Sequence, residues 1–302
     1  MNTQTNPKTD VPAAKNKPAD YNPNPFMIVI SGVERLFKYA KPVAVTLLVI
    51  SLLFVAFNWA FNPSAPVDRE TDVSYEGSFE VVAGPLSSLD FVAMGVIALI
   101  TLLFLAGFVT FVILIMGIVD FTAAAAANGR RVGLKDAFDG VSKQLWPYIK
   151  LRLLMFVKLF LWSLLFVVPG IYFTYRYYLA GVVFFSEDKR GNAAIKESMR
   201  LTKGAWLTTF ASYGLLNIVT LGSLQLMLDG GTTTELYRNY RQTIDDGLEH
   251  PKSHWTSKLF VGLVAALIIL TVLLIALVAS AYFMNGGSEL IEIGGGLPVQ
   301  SI

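Results

Sequence analysis

Four uncharged runs, each long enough to cross a lipid bilayer, limit what this chain can fold into more than any other feature. Twenty-nine uncharged residues lie between Asp90 and Asp120, 25 between Lys203 and Asp229 and 30 between Lys258 and Glu289, and the run after Lys41 continues to Asp68. A hydrocarbon core about 30 Å thick needs about 20 apolar residues at 1.5 Å of helical rise each. Only 15% of the 302 residues are charged and 54% are hydrophobic, whereas roughly a quarter of a soluble domain is charged. A water-soluble globule is therefore excluded, and the expected class is all-α: a polytopic membrane helical bundle.

The pattern predicts six spans at about 42–61, 91–119, 149–168, 170–186, 205–228 and 259–284. Residues 149–186 are too long for one span, and Pro169-Gly170 lies at their middle. Proline removes a backbone donor and glycine permits a sharp reversal, so this pair predicts a tight helical hairpin. Ahead of the first span, Phe26, Val29, Ile30, Val33, Leu36 and Phe37 recur at helical spacing with Glu34, Arg35 and Lys38 between them, which predicts an amphipathic interfacial helix. Residues 1–25, rich in Asn, Pro, Lys and Thr, are expected to be a disordered tail. Residues 26–286 form the six-span membrane domain, and 287–302 a flexible C-terminal tail. Val73, Tyr75, Phe79 and Val81 suggest a short extramembrane hairpin.

Orientation follows from the basic residues. The N-terminal segment carries six, the loop 120–152 six (Arg130, Arg131, Lys135, Lys143, Lys150, Arg152) and the loop 187–204 five. On the other side, residues 62–90 carry Arg69 alone against six acids, and residues 229–258 carry four bases against five acids. Seventeen against five places the basic loops, and both termini, in the cytoplasm under the positive-inside rule. An offset of 60 residues superposes Arg130 on Arg190, Ser142 on Thr202, Lys143 on Lys203 and Trp146 on Trp206. Each copy reads as a basic amphipathic helix followed by a span. In the first copy, Leu134, Ala137, Phe138, Val141 and Leu145 form the apolar stripe.

Lys158 and Arg176 interrupt otherwise apolar spans, and Arg176 sits among Tyr172, Tyr175, Tyr177 and Tyr178. Charge at membrane depth is costly and often functional. No acid lies at mid-span to pair with them, so Lys158, Arg176, Tyr175 and the cytoplasmic Lys203 are the candidate lipid or anion-binding residues, against the plainer reading that the cations snorkel to nearby headgroups. His250 and His254 are four apart, but Pro251 disrupts a shared helical face, so no metal site is expected. Thr232 to Glu235 resemble a capping box opening an amphipathic helix on the far membrane surface. Small residues four apart (Gly262 and Ala266, Ala276 and Ser280, Ala106 and Thr110) read as packing within the bundle.

The sequence has no cysteine and two histidines, and it lacks a nucleophile elbow, a phosphate loop or a zinc-protease helix. No enzymatic activity and no cofactor are expected, and a net charge of +2 gives no reason to invoke nucleic acid.

Val168-Pro-Gly-Ile-Tyr172, Tyr175-Arg-Tyr177, Ser186-Glu-Asp188, Ala194-Ile-Lys-Glu-Ser198 and Leu201-Thr-Lys-Gly-Ala-Trp206 together resemble the bacterial membrane-domain family associated with glycerophosphoryl diester phosphodiesterases, and the related YciC-like inner-membrane proteins. The resemblance covers about 40 residues closely. It implies a prokaryotic plasma-membrane helical bundle, in some members attached to a soluble phosphodiesterase domain whose catalytic histidines and acids have no counterpart here. The leading expectation is a non-enzymatic membrane protein that binds anionic lipids or partner proteins at its cytoplasmic face. The alternative is a transporter or permease component, motivated by the repeat, the broken hairpin and the unpaired intramembrane charges.

Overall fold

The computed structural model describes residues 21–61, 88–165, 167–220 and 224–286. Among them are ten helices and no strand: α1 (Pro25–Phe61), α2 (Ser88–Ala127), α3 (Leu134–Ser142), α4 (Leu145–Leu165), α5 (Val167–Tyr177), α6 (Ala180–Glu187), α7 (Asn192–Leu201), α8 (Trp206–Val219), α9 (Gln225–Asp245) and α10 (Trp255–Gly286). The two tails and the hairpin expected at 73–82 lie outside the described residues.

The expected interfacial helix and first span are the two halves of α1, which breaks at Ala40 (φ −139°, ψ 42°). Pro42 accounts for the break, because it has no N–H to donate and its ring crowds the preceding turn. The Tyr39 carbonyl left free there accepts the Val132 N–H at 3.0 Å. The bend therefore also ties α1 to the link between α2 and α3.

The helices fall into two groups according to what covers them. α1, α2 and α10 are long and apolar enough to cross a membrane. From Val92 to Phe111 in α2 and from Ala265 to Tyr282 in α10, every side chain is exposed. A helix apolar all round has no stripe to turn toward a protein core, so lipid is the medium that removes its surface from water. The small residues of these helices, including Gly262, Ala266 and Ala106, are exposed as well, so they do not pack a bundle among the described residues.

The remaining elements form a compact body. Its core holds Tyr148, Leu151, Leu179, Phe184, Ile195, Leu201, Leu236 and Tyr240, all fully buried. A second cluster joins Leu36, Val43 and Ala44 of α1 to Val119, Ala126, Met227 and Leu228. Each large side chain so buried contributes about 1.5–3 kcal/mol.

Several sequence expectations change here. The hairpin exists, but α4 ends at Leu165 and α5 begins at Val167, so Pro169 and Gly170 lie in the first turn of α5. Gly170 packs against Ser163 across the hairpin, and Trp162 stacks on Phe173 at 4.2 Å. The fourth span is two helices, α5 and α6, and Ala180 to Phe184 of α6 are buried in the body. The fifth expected span is interrupted: α8 has 14 residues, about 21 Å of helix, and α9 returns beside it.

The largest change concerns α9. It is no surface helix: Thr232, Thr233, Thr234, Leu236, Tyr240 and Thr243 are all buried. The threonines are interior residues whose hydroxyls bond backward, Thr233 to the Asp229 carbonyl at 2.5 Å and Thr234 to that of Gly230 at 2.6 Å. Residues 187–204 and 229–258, expected on opposite membrane faces, are joined directly. Arg241 reaches Glu187 at 3.3 Å and Glu197 at 3.1 Å, and His250 Nε2 meets the Leu201 carbonyl at 2.9 Å. Arg35 of the N-terminal segment meets Glu235 at 3.0 Å. These three segments therefore share one face.

Candidate functional site

The four residues singled out in the sequence do not meet. Lys158 Nζ donates to Asn192 Oδ1 at 2.6 Å, at the first residue of α7. Arg176 donates to the Met199 carbonyl at 2.5 Å, in the last turn of the same helix, and to the Tyr172 hydroxyl at 2.9 Å. Seven residues, about 10 Å of helix, separate the two attachment points, so the cations fasten opposite ends of α7. A guanidinium on a C-terminal carbonyl also complements the helix dipole. Their counter-groups are an amide and a carbonyl rather than an acid. Tyr175 turns away from Arg176 and packs edge-on against Phe210 and Tyr213, at ring separations of 4.6 and 5.7 Å. Lys203 is exposed in the turn between α7 and α8.

A network of ionic groups holds the body's polar face. Glu197 accepts from Arg200, from Lys189 at 2.9 Å and from Arg241 at 3.1 Å. The hydrogen bonds from Arg200 first, and then from Lys189, hold its carboxyl down at about 2 against the opposing effect of burial. Glu235 lies between Arg238 (2.6 Å) and Arg35 (3.0 Å). Burial pushes its carboxyl upward, but the two guanidiniums outweigh that and keep it below the usual range. The histidines face different partners: His250 lies between Leu201 and Tyr21, and His254 Nδ1 receives the Thr256 N–H at the start of α10.

Sequence reasoning missed a buried triad. Asp120 Oδ2 accepts from the Tyr148 hydroxyl and from Arg152 Nη2, both at 2.6 Å, and Arg152 Nε donates to the Tyr148 hydroxyl at 2.7 Å. The acid fits because residue 181 is glycine: a Cβ there would fall 1.6 Å from Asp120 Oδ2. Asp120 had marked the end of a span, yet it is 6% exposed inside the body. The available signal was Tyr148 and Arg152, four apart and thus on one helical face.

One further arrangement faces outward. Lys143, Gln144, Pro147 and Lys150, where α3 passes into α4, oppose Arg190 and Gly191 across a cleft of about 570 Å³. Lys150 Nζ stands 5.4 Å over the ring of Trp146, which is 65% exposed. The sequence reading assigned these bases to cytoplasmic helices without bringing the two basic loops together. The 60-residue offset relates α3 and α4 to α7 and α8, and Val141 and Leu201, 60 apart, are both fully buried.

Fold and charge together define an α-helical body attached to three helices of bilayer length. No family model, no curated protein and no solved structure matches the chain.

Proposed function

We propose that the chain is a non-enzymatic integral membrane protein whose body lies at the cytoplasmic face of a prokaryotic plasma membrane and holds anionic lipid there. The observation that carries this reading is the distribution of charge over the fold. If α1, α2 and α10 cross the bilayer, residues 62–87 and 287–302 lie on the far side, and Arg69 is the one basic residue of 24 within them, beside seven acids. Every other lysine and arginine falls in residues 1–41 or 130–258. The asymmetry is sharper than the six-span layout gave, because residues 229–258 have moved to the basic side. A basic face apposed to anionic headgroups gains about 1 kcal/mol per residue near the surface. Trp146 and Trp255, 65% and 66% exposed, stand at the body ends of α4 and α10, where an interfacial belt belongs.

The stretch resembling the phosphodiesterase-associated membrane domains supplies α5, α6 and α7, the wall of this body. A relationship with that family would therefore concern the membrane body rather than phosphodiester chemistry.

Native mass spectrometry with graded delipidation tests the reading, using purified protein equilibrated with equimolar phosphatidylglycerol and phosphatidylcholine of matched chains. Engagement of two or more basic residues predicts at least tenfold preferential retention of the anionic lipid. Equal loss of both lipids would overturn the proposal.

A further inference from the structure

The cleft between the start of α4 and the loop before α7 has more positive charge than its neighbours neutralise. Arg190 is paired with Asp188 and lies 4.6 Å from the Phe184 ring. Lys143 and Lys150 are exposed, and among the described residues neither has a carboxylate within ion-pair distance. Gln144 also lines the cleft, and its Oε1 is buried with no hydrogen-bond partner among the described residues. Two ammonium groups without a carboxylate partner suit an anion.

What lies along α4 beyond the cleft identifies the class of molecule. Pro147, Lys150, Leu154, Val157, Leu161 and Leu164 follow one another at spacings of three and four residues, a single face of α4, and Lys143 lies in the turn that leads into it. Leu154 stands beside the cleft's Gly191, where an added Cβ would fall 4.0 Å from the leucine's Cδ2. Beyond it Val157, Leu161 and Leu164 are exposed, at 46%, 58% and 68%. Lys150 and Leu164 are 14 residues apart, about 21 Å, which exceeds the roughly 15 Å of one hydrocarbon leaflet. A soluble phosphate has no use for such a wall, whereas an acyl chain does.

We propose that this cleft binds one anionic glycerophospholipid, its phosphate among Lys143, Lys150 and Arg190 and an acyl chain along Val157, Leu161 and Leu164. The proposal rests on the lipid-contact reading above and names its tightest site. Lys158, hydrogen-bonded to Asn192 beside cleft-lining Gly191, stands at the upper rim. The residue singled out in the sequence therefore borders the site and braces α7 against it.

The test compares the wild type with Lys143→Gln/Lys150→Gln and with Lys196→Gln/Lys252→Gln, whose lysines are exposed away from the cleft, by native mass spectrometry under titration with phosphatidylglycerol. Wild type and the second variant are expected to retain one lipid tightly. The cleft variant is expected to bind it about 30-fold more weakly, a factor of about five for each charge removed. An unchanged affinity in the cleft variant, with the wild type still favouring anionic over neutral lipid, would overturn the cleft and leave the general reading standing. Loss of that preference in the wild type would sink both. A parallel titration with soluble glycerol phosphate separates the two sources of phosphate: binding as tight as that of the lipid would refute the role of the apolar wall.

Discussion

His250 is held by three separate parts of the chain. Its Nε2 meets the Leu201 carbonyl at 2.9 Å, its Nδ1 meets the Tyr21 hydroxyl at 3.3 Å, and its ring lies 4.7 Å from that of Tyr240. A carbonyl only accepts, so Nε2 carries the proton, and in the neutral imidazole Nδ1 accepts from the Tyr21 hydroxyl. Burial lowers the pKa below 6.5, and the Leu201 bond opposes this only in part. The unfolded chain therefore binds the proton first as pH falls. The stability contributed by neutral His250 is fully present above about pH 6.5 and declines below it, by at most about 1.4 kcal/mol per pH unit. Between pH 7.5 and 5.5 the wild type should lose thermal stability. His250→Gln, which keeps a donor and an acceptor but cannot titrate, should respond less over the same window. Identical slopes would rule the assignment out. Glu197, held at about 2, titrates well below this range. None of this was legible in the sequence, where His250 read as half of a weak metal pair, because its partners lie 49 and 229 residues away. Asp120 was hidden differently: a lone acid closing an apolar run looks like a boundary until its arginine is seen beside it.

The seam between α1 and α9 decides where the polar helix goes. Gly32 and Gly231 bring the two backbones together so closely that a Cβ on Gly32 would fall 2.0 Å from the Gly231 carbonyl oxygen. Backbone cannot rotate away as a side chain can. Gly32→Ala should therefore push α1 off α9, strain the Arg35–Glu235 pair and cost about 1–3 kcal/mol or more, read as a lower denaturation midpoint in detergent. Gly262→Ala in α10, where nothing lies within 4 Å of the added carbon, should be neutral or stabilising by up to about 1 kcal/mol. Equal losses in the two variants would refute the seam. The amphipathic start of α1 and the apolar lengths of α1, α2 and α10 were legible because each is a local property. The burial of α9 was not, because Thr232 to Thr234 satisfy their hydroxyls against their own helix, and this lets a polar stretch enter a core without any sign in the pattern. A helix that hides its polarity this way reads as a surface helix until its neighbours are known.

At the scale of the whole molecule, shared contacts fix sidedness more firmly than a charge tally does. The tally placed residues 229–258 outside although their four bases nearly matched their five acids, a balance too even to choose a side. The ion pairs of Arg241 and the bond from His250 to Leu201 remove that freedom, since two segments in hydrogen-bond contact cannot lie across a bilayer from each other. α10 then leaves the body beside α8, with Phe260 against Phe210 at 5.5 Å, and runs 32 residues outward. That length, about 48 Å, exceeds the hydrocarbon core. If α10 crosses the bilayer as proposed, the chain beyond it emerges on the face opposite the body, whereas the six-span layout returns it to the same face. The absence of native cysteine makes the difference directly measurable. In sealed, right-side-out spheroplasts, Ser142→Cys and Lys252→Cys should both resist a membrane-impermeant maleimide until the membrane is opened, and Ser288→Cys should react at once. The six-span layout demands the reverse at positions 252 and 288. Labelling of Lys252→Cys in intact spheroplasts would break the common face on which the proposed lipid binding depends, and protection of all three would mean that α10 does not cross.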